Sequence, residues 1–219
     1  NHMINSVNNL KSIQDTLKNS INNLNQPKII AVSKTFPMES IYPLINHGHE
    51  HFGENKVQES VKKWTDIKQD FLKIKLHMIG KLQSNKVKYV IPLFDYIHSV
   101  DNLKLAEKIS NEQQKINKKV KIFIQINIGN EDQKSGIDPD QIEFFYKKCT
   151  LDLGLDIVGL MCLPPKEGIS LKYFTSMKEL LNKIHQKELS MGMSNDYLEA
   201  AINGSTFLRI GSKIFGKRD

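Results

Sequence analysis

Cysteine is nearly missing from this chain. Cys149 and Cys162 are its only two thiols in 219 residues, and neither has a CxxC partner or a histidine at zinc-finger spacing, which argues against a disulfide scaffold and against structural zinc. Both read as buried thiols. Long apolar runs are missing too: none approaches the roughly 18 residues needed to cross a bilayer. No basic, then apolar, then small-residue leader opens the chain, so the sequence reads as a soluble cytoplasmic protein with no membrane partner. Pro- or Gly-rich linkers, low-complexity tracts and sequence repeats are also lacking, which predicts one domain over 3–219, with Asn1 and His2 before Met3 a cloning remnant. Finally, no G-x-G-x-x-G or P-loop follows the first apolar run, which argues against a nucleotide fold of that kind.

What is present is ordinary for a folded domain: 39% hydrophobic and 25% charged residues with a mean hydropathy of -0.40. Thirty-one Lys and Arg against 24 Asp and Glu give a net charge of +7. The excess is scattered in short lysine stretches, which reads as a solvated surface rather than a nucleic-acid stripe.

Short apolar runs at Ile29–Val32, Leu76–Ile79, Tyr96–Val100, Val120–Ile128, Leu155–Leu163, Leu189–Met193 and Phe207–Ile210, with a weaker one at Glu50–Phe52, read as strands. Helix-length stretches separate most of them. Asp101 is placed to cap one helix, Asp138 before Pro139 another, and Ser194 or Asn195 a third. An amphipathic helix over Ile4–Leu24 precedes the first strand. Strands alternating with helices imply a parallel sheet covered on both faces, and eight such units favour a single TIM-type (β/α)8 barrel over a doubly wound sheet.

Barrels of this type collect chemistry at the C-terminal ends of their strands. Lys34, His77, His98, Asn127, Ser190 and Arg209 fall there. Lys34 continues the face of Ile30 and Val32, and Arg209 that of Phe207. If the first row points inward, Lys34 sits at the rim of an apolar interior, where its ammonium is disfavoured and its free amine can attack an aldehyde. A lysine that ends a strand and reaches into water is the ordinary alternative. Near the C-terminus, Leu189–Asp196 and Gly204–Ser212 each end a strand with glycine and hydroxyls, a composition suited to an anion and placed where barrels bind phosphate. An amine at one point and a phosphate cradle at another suggest a ligand carrying an aldehyde and a phosphate, and pyridoxal 5'-phosphate has both.

Further blocks now matter: Ala31-Val32-Ser33-Lys34-Thr35, Phe52-Gly53-Glu54-Asn55, His77-Met78-Ile79-Gly80-Lys81-Leu82-Gln83-Ser84-Asn85-Lys86, Lys134-Ser135-Gly136, Gly159-Leu160-Met161, Leu189-Ser190-Met191-Gly192-Met193-Ser194 and Arg209-Ile210-Gly211. In this order they resemble the pyridoxal phosphate homeostasis protein family across essentially the whole chain. The resemblance implies an alanine racemase N-terminal domain-like barrel (the type III pyridoxal phosphate fold), usually a monomer, with the cofactor in Schiff-base linkage to Lys34. It also implies Asn55 beside the cofactor, Ser194, Gly211 and Ser212 on its phosphate, and Arg209 near its pyridine nitrogen. An arginine there lends no proton to the ring, so the bound cofactor is a poor electron sink. The implied role is therefore cofactor storage and delivery, with apo-enzymes as recipients, rather than catalysis. A weak amino-acid racemase on the same cofactor is the alternative, although the chain length leaves no room for the second domain of a usual racemase. A phosphate- or nucleic-acid-binding module is a third reading.

Other groups have plainer readings. His47, His49 and His51 alternate, yet Gly48 interrupts them and no carboxylate or thiolate completes a metal set. His77 and His98 read as hydrogen-bonded interior residues, Glu54 as a group orienting the site through its neighbours, Met191 and Met193 as packing, and Lys134 as an exposed lysine or the amine of a second cofactor site.

Overall fold

A computed structural model describes residues 5–132, 135–166 and 170–218. Its strands are β1 (Lys28–Val32), β2 (His51–Glu54), β3 (Lys75–Met78), β4 (Tyr96–Val100), β5 (Lys121–Ile126), β6 (Asp156–Cys162), β7 (Glu188–Ser190) and β8 (Phe207–Ile210). They form one closed parallel barrel in sequence order, β8 pairing back onto β1 with Ile30 opposite Arg209. The expected barrel is the one observed. Its helices are α1 (Ser6–Ser20), α2 (Met38–His47), α3 (Val57–Asp70), α4 (Val87–Val90), α5 (Leu103–Ile116), α6 (Ile142–Lys147), α7 (Ser170–Lys183), α8 (Tyr197–Ile202) and α9 (Ser212–Phe215).

Alternation along the strands produces two cores. Outward residues such as Ile29, Ala31 and Leu76 pack with helix stripes such as Leu10, Ile13 and Leu17 in the larger core, between sheet and helices. Inward residues Ile30, Tyr96, Phe123, Met161 and Phe207 form the smaller one inside the barrel. Each buried Leu, Ile or Phe contributes about 1.5–3 kcal/mol relative to exposure, so both cores matter to closure. The row Ile30, Val32, Lys34 therefore does begin on the inner face, as the alternation implies.

Helix α1 lies over the seam where the barrel closes: Asn9 Nδ2 donates to the Ile214 carbonyl at 2.8 Å. It is shorter than Ile4–Leu24, because a separate 3-10 turn occupies Asn23–Asn25. Two expected caps are corrected. The cap of α5 is Asn102, whose side chain accepts from Leu105 N at 2.8 Å, while Asp101 instead accepts from Gly136 N at 2.8 Å. The residue before α8 is Asp196, and neither Ser194 nor Asn195 caps that helix. Asp138 does cap the turn begun by Pro139, accepting from Asp140 N at 2.9 Å.

Candidate functional site at the barrel mouth

The strand ends place the candidate residues on one rim. Lys34 follows β1, Asn55 follows β2, Ser194 follows β7, and Gly211 and Ser212 follow β8, which lies between β7 and β1. Lys34 is half-buried. Burial holds its ammonium below the ordinary lysine value, and the Arg218 guanidinium pushes in the same direction. A neutral amine is therefore more accessible here than on an ordinary surface lysine.

The loop carrying Lys34 is braced from below. The fully buried Glu54 carboxylate accepts through Oε2 from Ser33 Oγ at 2.6 Å and Trp64 Nε1 at 3.0 Å, and pairs with Lys63 Nζ at 2.8 Å. Lys63 also donates to the Ser33 carbonyl at 2.8 Å. From the other side Arg218 donates to the carbonyls of Lys34 and Val32 at 3.2 and 3.1 Å. Thr35 is held with φ +69 by Glu59, which accepts its backbone N–H at 2.8 Å. A β-branched residue is strained in that left-handed conformation. Thr35→Gly relieves the strain, and after the entropic cost of glycine we expect a net gain of about 1 kcal/mol, read as a rise of roughly 2 to 4 °C in thermal melts; an unchanged or lower midpoint contradicts this.

Asn55 is positioned by a glycine. A Cβ on Gly80 would lie 2.7 Å from the Asn55 carbonyl oxygen and 2.9 Å from its Cα, so only glycine lets the loop after β3 press against the loop after β2. The hydroxyl cradle also assembles: Ser212 Oγ donates to Ser194 Oγ at 3.2 Å, and the Lys213 backbone N–H donates to the same Ser194 oxygen at 3.2 Å. Gly211 packs on the Lys34 side, since a Cβ there would meet Arg218 Nη2 at 3.0 Å and Val32 Cβ at 3.4 Å.

Arg209 lies deeper, 3% exposed. Its Nη1 donates to Ser190 Oγ and its Nη2 to the Cys162 carbonyl at 2.8 Å. It makes no salt bridge with a carboxylate among the described residues, so a buried cation is balanced only by neutral acceptors. Burial lowers its pKa, opposed by Cys162 and then by Asp196. The donor set is an amine, a guanidinium, two hydroxyls and a backbone N–H, which suits a ligand rich in acceptors with an electrophilic carbon.

The other candidates separate from this rim. His77 and His98 are buried inside the barrel, as expected. Asn127 is used in its own turn, bonding Glu131 through both ends of its amide. His47 ends α2, His49 packs edge-on to Phe52, and His51 turns into the barrel to bond His77, so the three do not converge. Met191 is core, but Met193 is 49% exposed and only the first serves as packing. Both cysteines are buried and free, with burial raising each thiol to about 12. Lys134 lies outside the described residues. Two clefts, of about 650 and 440 Å³, lie near the Leu82–Asn85 turn and beneath α1, and none of the candidate rim residues lines either.

Sequence reading missed the Lys63 and Arg218 braces. Glu59 and Lys63 stand four apart on α3 and therefore share a face, a signal that was available; nothing local marks the far-separated Arg218.

Fold and rim together define a barrel of the alanine racemase N-terminal domain class, and that family model matches residues 7–219. A pyridoxal phosphate homeostasis protein of Pasteurella multocida is 37% identical over 225 residues, covering 96% of this chain and 97% of that protein. The structure of PipY from Synechococcus elongatus with pyridoxal phosphate bound is 30% identical with a TM-score of 0.84, covering 96% of this chain and all of that one. An alanine racemase of Clostridium difficile, at 16% identity and a TM-score of 0.75, shares the fold, and this chain spans 58% of it. The chain belongs to the alanine racemase N-terminal domain family and, within it, to the pyridoxal phosphate homeostasis proteins.

Proposed function

We propose that this protein holds pyridoxal 5'-phosphate at the barrel mouth through a covalent, reversible bond to Lys34 and so stores and delivers the cofactor in the cytoplasm. The observation that carries the reading is the convergence on adjacent strand ends of a half-buried amine of lowered pKa, a buried arginine without a carboxylate, and a paired-serine cradle. The relatives' names and the cofactor in PipY support the same ligand.

In this reading Lys34 Nζ, carried on a loop whose main chain the Glu54, Lys63 and Arg218 braces hold, meets the aldehyde carbon. Ser194, Ser212 and the backbone at Gly211 receive the phosphate, Asn55 flanks the ring, and Arg209 donates toward the ring nitrogen. When bound, the cofactor supplies an electrophilic carbon and, if its nitrogen is protonated, an electron sink; Arg209 has donors only and keeps that nitrogen unprotonated. The same site is thus suited to holding the cofactor and poorly suited to stabilising a carbanion. We place the protein as a monomer whose recipients are apo-enzymes, with no nucleic-acid partner.

The test is borohydride reduction after incubation with pyridoxal phosphate, followed by peptide mapping. A single reduced adduct on Lys34, lost in Lys34→Ala, is the expected outcome; no adduct removes the reading, and one on Lys134 relocates it. Incubation with L- or D-alanine in deuterated water separates carrier from racemase, because only a racemase exchanges the α-proton at a useful rate.

A further inference from the structure

Three histidines from three consecutive strands run across the barrel interior toward Arg209. His51 Nδ1 lies 2.9 Å from His77 Nε2, His77 Nδ1 lies 2.9 Å from His98 Nε2, and His98 Nδ1 lies 2.8 Å from Ser190 Oγ, the oxygen that accepts from Arg209. The rings are clamped: His77 stacks on Tyr96 at 4.2 Å and 8°, and His98 on Phe123 at 4.3 Å and 21°. His77 and His98 are fully buried.

The direction of every bond in this chain follows from its cationic end. A guanidinium only donates, so Ser190 Oγ must accept from Arg209. The Ser190 hydroxyl proton then has one acceptor in reach among the described residues, His98 Nδ1. A neutral imidazole carries one proton, so His98 has it on Nε2 and donates to His77 Nδ1. The same constraint puts the His77 proton on Nε2, donating to His51 Nδ1. One charge thus dictates three tautomers. The reversed register would also pair every ring nitrogen, but it would leave the buried Ser190 hydroxyl proton with no acceptor among the described residues, and a buried unpaired donor is costly.

We propose that His51, His77 and His98 are positioning residues: a tautomer-locked relay that holds the Ser190 hydroxyl in one orientation and thereby aims the Arg209 guanidinium at the cofactor ring. This deepens the cofactor-holding reading and rests on it. The relay spans the barrel from the mouth to its opposite end, where the half-buried His51 borders the 440 Å³ cleft beneath α1.

Nitrogen-15 NMR of the unliganded protein reads the tautomers directly. His77 and His98 should each show a bare Nδ1 and a protonated Nε2. In Ser190→Ala, which removes the hydroxyl that sets the direction, His98 should become a mixture of tautomers. Cofactor titrations supply the second readout. His77→Phe keeps the ring stack and cuts the relay, so its dissociation constant for pyridoxal phosphate should rise about tenfold and its visible band should move; His77→Gln, with one donor and one acceptor, should restore part of both. A proton on Nδ1 of His98 in the wild type overturns the relay. Wild-type affinity and spectrum in folded His77→Phe, or in Ser190→Ala should His77→Phe not fold, overturn its positioning role. A wild-type protein with the predicted tautomers that takes up no pyridoxal phosphate overturns the cofactor reading and the positioning role with it, leaving only the hydrogen-bond register.

Discussion

Between pH 7 and pH 5 this barrel should lose on the order of 6 kcal/mol of stability, against a total of about 5–15 kcal/mol for a typical domain. Burial, the largest cause in each case, holds His77 and His98 well below the ordinary histidine value and His49 and His51 at about 4. Neighbouring histidines add to the depression at His51 and His77, and Arg209 adds to it at His98. Such groups take up protons more readily in the unfolded chain. Stability is therefore full above the unfolded value near 6.5 and declines as pH falls through the window down to 4 and below. At pH 5 each fully buried imidazole accounts for about 2 kcal/mol, and His49 and His51, which water partly screens, for about 1 each. The relay sharpens the effect, because a second proton on either central ring leaves two donors facing one another. Urea midpoints at pH 7, 6 and 5 should fall steeply; a flat profile over this range would mean that the interior histidines accept protons without unfolding.

Gly159→Ala should cost about 3 to 5 kcal/mol, in the range reserved for steric failure inside a core. A Cβ at this position would sit 1.8 Å from the Glu188 carbonyl oxygen and 2.5 Å from its carbon. The obstacle is main chain of the adjacent strand β7, which cannot rotate away as a side chain can. Strands β6 and β7 must therefore separate, and β7 carries Ser190 toward Arg209. Thermal unfolding should shift down by roughly 10 °C. Gly154→Ala is the control: nothing lies within 4 Å of its added Cβ, and only φ +63 opposes it, so a loss of about 1 kcal/mol is expected there. Equal losses at the two positions would remove the steric argument.

The barrel was legible because its strands advertise themselves through alternation and spacing, and Ile30, Val32 and Lys34 reveal an inward row without any knowledge of partners. Helix ends were less legible. Asp101 and Asn102 are both good caps, and only the distant N–H of Gly136 decides which is free for α5. The strands were recovered with ends shifted by a few residues, since hydrophobicity continues past the last paired residue at Ile128 and Met193. The two serines were found from composition, but their convergence depends on β7 and β8 being neighbours. His77 and His98 were read as interior, yet their linkage to His51, Ser190 and Arg209 joins residues up to 158 positions apart (209 minus 51). No local pattern encodes such a chain; it exists only once the sheet has closed.

The pairing of β1 with β8 has a consequence for biosynthesis. Strand β1 finds one neighbour soon after synthesis, in β2, but its other edge stays bare until β8 has been made. Until then the nascent sheet has two open flanks, each able to recruit a stray strand. Closure therefore waits until Phe207–Ile210 has been made, and a truncated message that stops before Phe207 yields an open, adhesive sheet rather than a smaller barrel.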